Sequence, residues 1–512
     1  MNGFRTRTTG LGHFNANLPF GNNPFVNVPS DVNRNPFRLL LLDFGFVIHL
    51  RRLLVKIILP IGPLISGPLD ELYPSRSNLM DLALHFILLT TQIMLVLLLP
   101  VVAVLFWLVP GVVPIVFLVT FWIATWIVMR LLNGAPTTEC LVGLPEGLEP
   151  ANDEHELWFF INGVATGYAE HSLDLRSQSD FWRHANGRQE KLATIEPRPA
   201  CSYFPTRDRR DPQYYVRSAT KRVTSMLTIT SYGFLFDLLE CLIQRDLDYK
   251  SGDIRQGRAQ IRAALAAPAT KKLVLILHSQ VRILQVISAP SIFRSVLEAL
   301  AFRIPTSPLR SQFLLMIKIL IPRSSLQGGI EGSSILDWLL ADMSHEVIGK
   351  LEIFTFGNAA RHFNNPLVSK PSSPLVDESK GGRGERVIKH IEHYANTEDF
   401  VANVGVLSFT SPRAQPFADG NAFFGSIFTR EGPGHLLNMH YLDKMFTMVN
   451  GKVDEDGNSF MNSFIPSRSS RDEAAGLGQR KMIKDVSRLW QYINGRKPMD
   501  DVGVPPVRPT PT

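Results

Sequence analysis

The sequence predicts an α/β fold, a mostly parallel sheet flanked by helices, preceded by a two-helix transmembrane hairpin. Short apolar runs, "ELWFFING", "KKLVLILHSQ", "KLEIFTFGN", "VIKHIEHYAN" and "FFGSIFTRE", alternate with amphipathic stretches beyond residue 150. That alternation is what buried parallel strands with helical crossovers produce. Between Leu82 and Met129 there is no Asp, Glu, Lys or Arg, a tract far longer than the ~20 apolar residues of one membrane crossing. One strand-like run, "LVLIL", ends on His278-Ser279-Gln280, and chemistry in such sheets sits at the carboxyl ends of strands.

Taken in order, residues 1–37, rich in Asn, Gly and Pro, have the composition of a disordered N-terminus. Residues 38–78 form an interfacial segment: "RLLLLDFGFVIHLRRLLVKIILPIGPLI" is apolar but interrupted by Asp43, Arg51, Arg52 and Lys56, which suits a helix lying in the membrane surface better than a third span. The hairpin occupies 79–133, with spans near 82–107 and 113–133, Pro110, Gly111 and Pro114 at the turn and Pro100 kinking the first span. A Pro/Gly-rich linker follows at 134–150. The α/β domain then runs over 151–470. Two tracts in it fit poorly: 172–220, polar and irregular, and 281–327, with six Lys/Arg, Glu298 as its one acid and no clear period. A short helical pattern, "KMIKDVSRLWQYI", and a disordered tail, "PPVRPTPT", close the chain over 471–512.

Charge orients the molecule. Before residue 80 stand Arg5, Arg7, Arg34, Arg38, Arg51, Arg52, Lys56 and Arg76 against four acids. The positive-inside rule puts the N-terminus in the cytosol, and two spans return the C-terminal domain to the same side. Three sparse cysteines, Cys140, Cys201 and Cys241, fit a reducing compartment and show no metal spacing. The net charge of +7 is dispersed along the chain, which argues for a basic surface beside anionic lipid rather than a nucleic-acid module. A transporter is poorly supported, since the spans carry one lone histidine, His85, as a candidate path group. No metal or cofactor is called for.

The serine motif is broken as it stands. A nucleophile elbow, G-x-S-x-G, needs small residues two before and two after the serine, where this chain has Leu277 and Val281. With 281–327 removed, "LILHSQ" joins "GGIEGSSILDWLLADM", which restores the downstream glycine. Ile335, Leu336, Leu339, Leu340 and Met343 then share one helical face behind the serine.

The rejoined "LVLILHSQGGIEG", with "WFFINGVATG", "FDLLECLIQRDL", "TFGNAARHFNNP", "IEHYANTEDFVANVGVL" and "GPGHLLNMHYLDKMF", resembles a family of fungal membrane proteins with a lipase-like α/β-hydrolase domain. That family is distantly related to serine esterases and class 3 lipases. In it, as the resemblance implies, Gly-Gly follows His-Ser-Gln directly. We therefore read 281–327 as a retained intron translated in frame, because a valine codon begins GT and a glutamine codon can be CAG. The tract 172–220 is a weaker second instance of a mis-joined exon. A lid insertion fits less well, since it would separate the nucleophile from the helix N-terminus that completes the oxyanion hole.

The resemblance implies a serine hydrolase, lipase or esterase in type, with Ser279 as nucleophile. The chain order Ser, acid, His gives Asp399 as the acid, with Glu398 as the neighbouring alternative. His435 is the base on the loop after the last strand, with His440 as runner-up. His278 reads as structural. Backbone oxyanion donors are expected at Gln280 and at Gly163 and Val164. The expected partners are the lipid bilayer and an ester substrate, a small molecule or a lipid. A non-catalytic integral membrane protein with a hydrolase-like scaffold domain is the alternative, and it gains from the interrupted elbow.

Overall fold

The computed structural model describes residues 45, 48–53, 56, 76–108, 112–133, 141–144, 155–161, 202–205, 216, 218–222, 225–226, 252–278, 328–368, 385–408, 423–465 and 481–498. The expectations for 1–37, for the insertion 281–327, for the tail beyond 498 and for most of 172–220 lie outside these residues.

Two helices open the described chain, α1 (Arg76–Leu108), with Pro100 inside it, and α2 (Val112–Asn133). Leu84 and Leu88, early in α1, bury against Met129, late in α2, so the pair runs antiparallel. Phe86, Leu97, Val104, Val116 and Trp126 remain exposed. Although α1 would extend about 50 Å at 1.5 Å per residue, among the described residues no helix is long and apolar enough to cross a membrane. The helical hairpin is therefore a feature of the fold. Its crossing of a bilayer belongs to the functional proposal.

The sheet is built from β1 (Leu141–Leu144), β2 (Glu156–Ile161), β3 (Ser202–Pro205), β4 (Ser225–Met226), β5 (Lys272–His278), β6 (Leu351–Phe356), β7 (His390–Glu398) and β8 (Ser426–Pro433). Their order is β3-β1-β4-β2-β5-β6-β7-β8, and all neighbours are parallel except β1 with β4. The stretch expected as a linker, 134–150, thus contains a paired strand, and the irregular 172–220 contains another. Each is only four residues long, too short for a periodicity to show.

Strands β5 and β6 read as continuous apolar runs because both faces are covered. On one face Leu273, Leu275 and Leu277 pack against Ile254, Ile261 and Leu265 of α3 (Gly252–Ala266) and Ile335 and Leu339 of α4 (Gly328–Asp342). On the other, Trp158, Ile276, Phe354 and Tyr394 pack against Tyr441, Leu442 and Tyr492 from the C-terminal third. Each such side chain contributes roughly 1.5–3 kcal/mol by leaving water. Helix α4, expected behind the serine, forms there. Its Gly332 lies so close to β5 that a Cβ would meet Leu277 Cδ1 at 2.3 Å.

Two boundaries are corrected. The expected C-terminal helix is two short pieces, α7 (Ile483–Val486) and a 3-10 turn (Leu489–Gly495), and both belong to the domain core rather than to a separate segment. The buried Glu392 carboxylate accepts from the Arg488 and Leu489 amides, and Ser487 Oγ accepts from Trp490 N–H at 3.1 Å. The two tertiary bonds to Glu392 and the local Ser487 turn replace the continuous helix that periodicity suggests. The segment expected at the membrane surface, in its described residues 45, 48–53 and 56, instead leans on the domain: Leu50 and Leu53 pack on the core and Lys56 pairs with Glu398 at 2.7 Å.

Topology locates the functional end. After β2 the chain visits β3 at the sheet edge, returns to β4 beside β2, crosses to β5 on the other side of β2, and then grows through β6, β7 and β8. The direction reverses between β2 and β5, and ligands bind outside the carboxyl ends of strands at such a switch point.

Candidate active site

Four adjacent strands, β5 to β8, bring their carboxyl ends together, and each supplies part of one cluster. Directly after β7, Asp399 is the N-cap of α6 (Phe400–Val404): its Oδ1 accepts from Val401 N–H at 2.8 Å. The side chain is wholly buried. A buried carboxylate is tolerable only when its oxygens are satisfied. Two further donors meet Oδ2, the His435 Nδ1–H at 2.8 Å and the Tyr441 hydroxyl at 2.5 Å.

His435 sits on the loop after β8. With Nδ1 facing a carboxylate, Nδ1 carries the proton, and Nε2 is the ring nitrogen able to accept one from a nucleophile. The loop is pinned from β7. Asn396 Nδ2 donates to Gly434 O at 2.9 Å and to His440 O, and Asn396 Oδ1 accepts from Arg430 Nε at 2.9 Å. Gly434 has φ +103, and a Cβ there would strike the His440 ring at 2.2 Å, so glycine is needed both for conformation and for space. Gly357, directly after β6, has φ +54, and its Cβ would lie 2.9 Å from both Asp399 Oδ2 and His435 Nδ1. The pair occupies the room left by that absent side chain.

His278, the last residue of β5, completes the cluster. Its Nε2 donates to the His435 carbonyl oxygen at 3.0 Å, and the two rings stack with centroids 5.1 Å apart. Burial, and then the neighbouring His435, hold the His278 imidazole well below its usual range, so it stays neutral. It is a structural wedge against His435.

Sequence-predicted residues therefore separate. Asp399 and His435 are brought into contact. Glu398 points away, to Lys56. His440 is engaged otherwise: its Nδ1 accepts from Leu436 N–H at 3.0 Å, its carbonyl receives Asn396 and Arg430, and burial lowers it to about 4. It holds the loop and does not face Asp399 as a base would. Ser279, Gln280, Gly163 and Val164 lie outside the described residues. By covalent connectivity Ser279 is one Cα step, ~3.8 Å, from His278. Sequence reasoning missed Tyr441, Asn396 and Gly357. Only Gly357, a glycine ending a strand in "IFTFGN", carried a readable signal.

Among the described residues no group of three or more His, Cys, Asp or Glu is arranged to hold a metal ion. Compared with known proteins, the chain matches no family model, no curated protein and no solved structure.

Proposed function

We propose that the chain is a membrane-anchored serine hydrolase, lipase or esterase in type, acting through an acyl-enzyme at Ser279. One observation carries the reading: an Asp399–His435 pair at 2.8 Å stands against the ring of the residue that immediately precedes Ser279. In this mechanism His435 Nε2 takes the Ser279 hydroxyl proton as Oγ attacks the ester carbonyl. The tetrahedral oxyanion is met by backbone N–H groups at Gln280 and at Gly163 or Val164. His435 then protonates the leaving alcohol, water repeats the sequence on the acyl-enzyme, and Asp399 keeps the imidazole in one tautomer throughout.

The anchor is the α1–α2 hairpin, whose exposed Phe86, Leu97, Val104, Val116 and Trp126 need an apolar surrounding. With both termini cytosolic, the domain faces the cytosolic leaflet, and a lipid ester is the substrate such a tether favours. The family resemblance supports the same chemistry, but fold does not fix substrate.

The test is hydrolysis of a short-chain p-nitrophenyl ester in lipid vesicles by two forms, the full chain and a chain without 281–327, each beside its Ser279→Ala variant. The reading expects turnover by the shorter form, abolished by the substitution. No turnover by either form would defeat it. A second reading, a non-catalytic membrane scaffold, draws on the 47 residues between Gln280 and Gly328, and turnover by neither form is what it expects.

A further inference from the structure

We propose that Tyr441 is a positioning residue of the catalytic apparatus, setting through Asp399 how readily His435 takes a proton; this rests on the hydrolase reading above. The geometry is specific. Tyr441 OH donates to Asp399 Oδ2, the same oxygen that His435 Nδ1 uses, and in turn accepts from the Asn396 backbone N–H at 3.1 Å. The hydroxyl is thus fixed from the backbone of β7, and its proton has the carboxylate as its acceptor. The ring is wedged edge-on against Phe356 at 6.0 Å and His278 at 6.4 Å, with 5 % of its surface exposed.

Its consequence follows from competition for one oxygen. A carboxylate that already accepts a hydroxyl proton is a weaker partner for an imidazolium, because part of its charge is engaged. Tyr441 therefore restrains the stabilisation that Asp399 gives to protonated His435. The other titratable and charged groups around the pair are His278 at the end of β5, His440 and Lys444 beyond the loop, and Arg430 on β8. Burial lowers both His278 and His440, so neither changes charge over the neutral range where the base works. Burial and the Asp399 charge push the Tyr441 hydroxyl well above its ordinary range, which keeps it a donor at every working pH.

The experiment takes the chain without 281–327 and compares its wild type at 441 with Tyr441→Phe and with 3,5-difluorotyrosine at 441, which keeps the hydroxyl and strengthens it as a donor. The pH dependence of fluorophosphonate labelling and the midpoint of the 13C-labelled His435 ring signal are read in that protein in detergent. Removing the hydroxyl moves both to higher pH, on the order of one unit; the fluorinated residue moves both the opposite way. A purely structural tyrosine would lower thermal stability in Tyr441→Phe and leave both midpoints in place in both variants. That result, with a wild type that labels, would overturn the assignment alone. A chain without 281–327, wild type at 441, that labels at no pH would overturn the hydrolase reading and this inference with it.

Discussion

Gly357 is the residue on which the site's geometry turns. Its φ of +54 is one that side-chain-bearing residues rarely adopt, and the space a Cβ would take is already filled by Asp399 Oδ2 and the His435 ring. Gly357→Ala is expected to push the two partners apart and lower kcat/KM of the proposed ester hydrolysis about a hundredfold, since displacements of about 1 Å between reacting groups cost that much. A wild-type rate in a folded Gly357→Ala protein would contradict the arrangement. Asp399 and His435 were legible because the order serine, acid, histidine along the chain restricts the candidates. Tyr441 and Asn396 were not, since their parts depend on neighbours brought from another strand or turn: Tyr441 reaches Asp399 across 42 residues and Asn396 reaches Gly434 across 38.

At the scale of elements, the far end of the sheet from the site carries a buried polar seam. Arg488 pairs with Glu352 at 2.7 Å, and Tyr492 OH donates to Glu352 at 2.8 Å. Glu392 receives Tyr394 OH at 2.6 Å and two amides of the C-terminal segment. Burial, aided by the Glu352 charge, pushes Glu392 up to about 7. A carboxyl raised above its unfolded value of 4.5 adds stability that is fully present below pH 4.5 and is lost as pH rises through 7. His393, lowered by burial to about 4, acts in the opposite sense: its contribution is present above 6.5 and is lost as pH falls through 4. Glu392→Gln keeps an acceptor for the amides and removes only the first effect. Its denaturation midpoint relative to wild type is expected to climb between pH 5 and pH 8, by up to about 3 kcal/mol of relative stability. A flat difference would show that Glu392 is ionised throughout.

The same scale explains which elements could be read in advance. Strands β5 and β6 are buried on both faces and β2 is buried except at Leu157, so each is an apolar run that needs no partner to be noticed. Helix α4 was readable from the spacing of Ile335, Leu336 and Leu339. The edge strands β1, β3 and β4 were not, at two to four residues each. Nor was the break in the C-terminal helix, where a carboxylate on β7 captures amides that a helix would have used.

The whole molecule couples a helical hairpin with an exposed apolar surface to an α/β domain whose switch point and Asp399–His435 pair lie at one end of the sheet. Leu50 and Leu53, which precede the hairpin, rest on that domain, and Lys56 pairs with Glu398 next to Asp399. The segment ahead of the hairpin thus reaches the acid side of the cluster. The central claim is that Ser279 is the nucleophile served by His435. Its most direct measurement is peptide mapping of the chain lacking 281–327 after reaction with a fluorophosphonate. The expected result is a single stoichiometric adduct on Ser279, lost in His435→Ala; an adduct on another residue, or none, would contradict the hydrolase proposal.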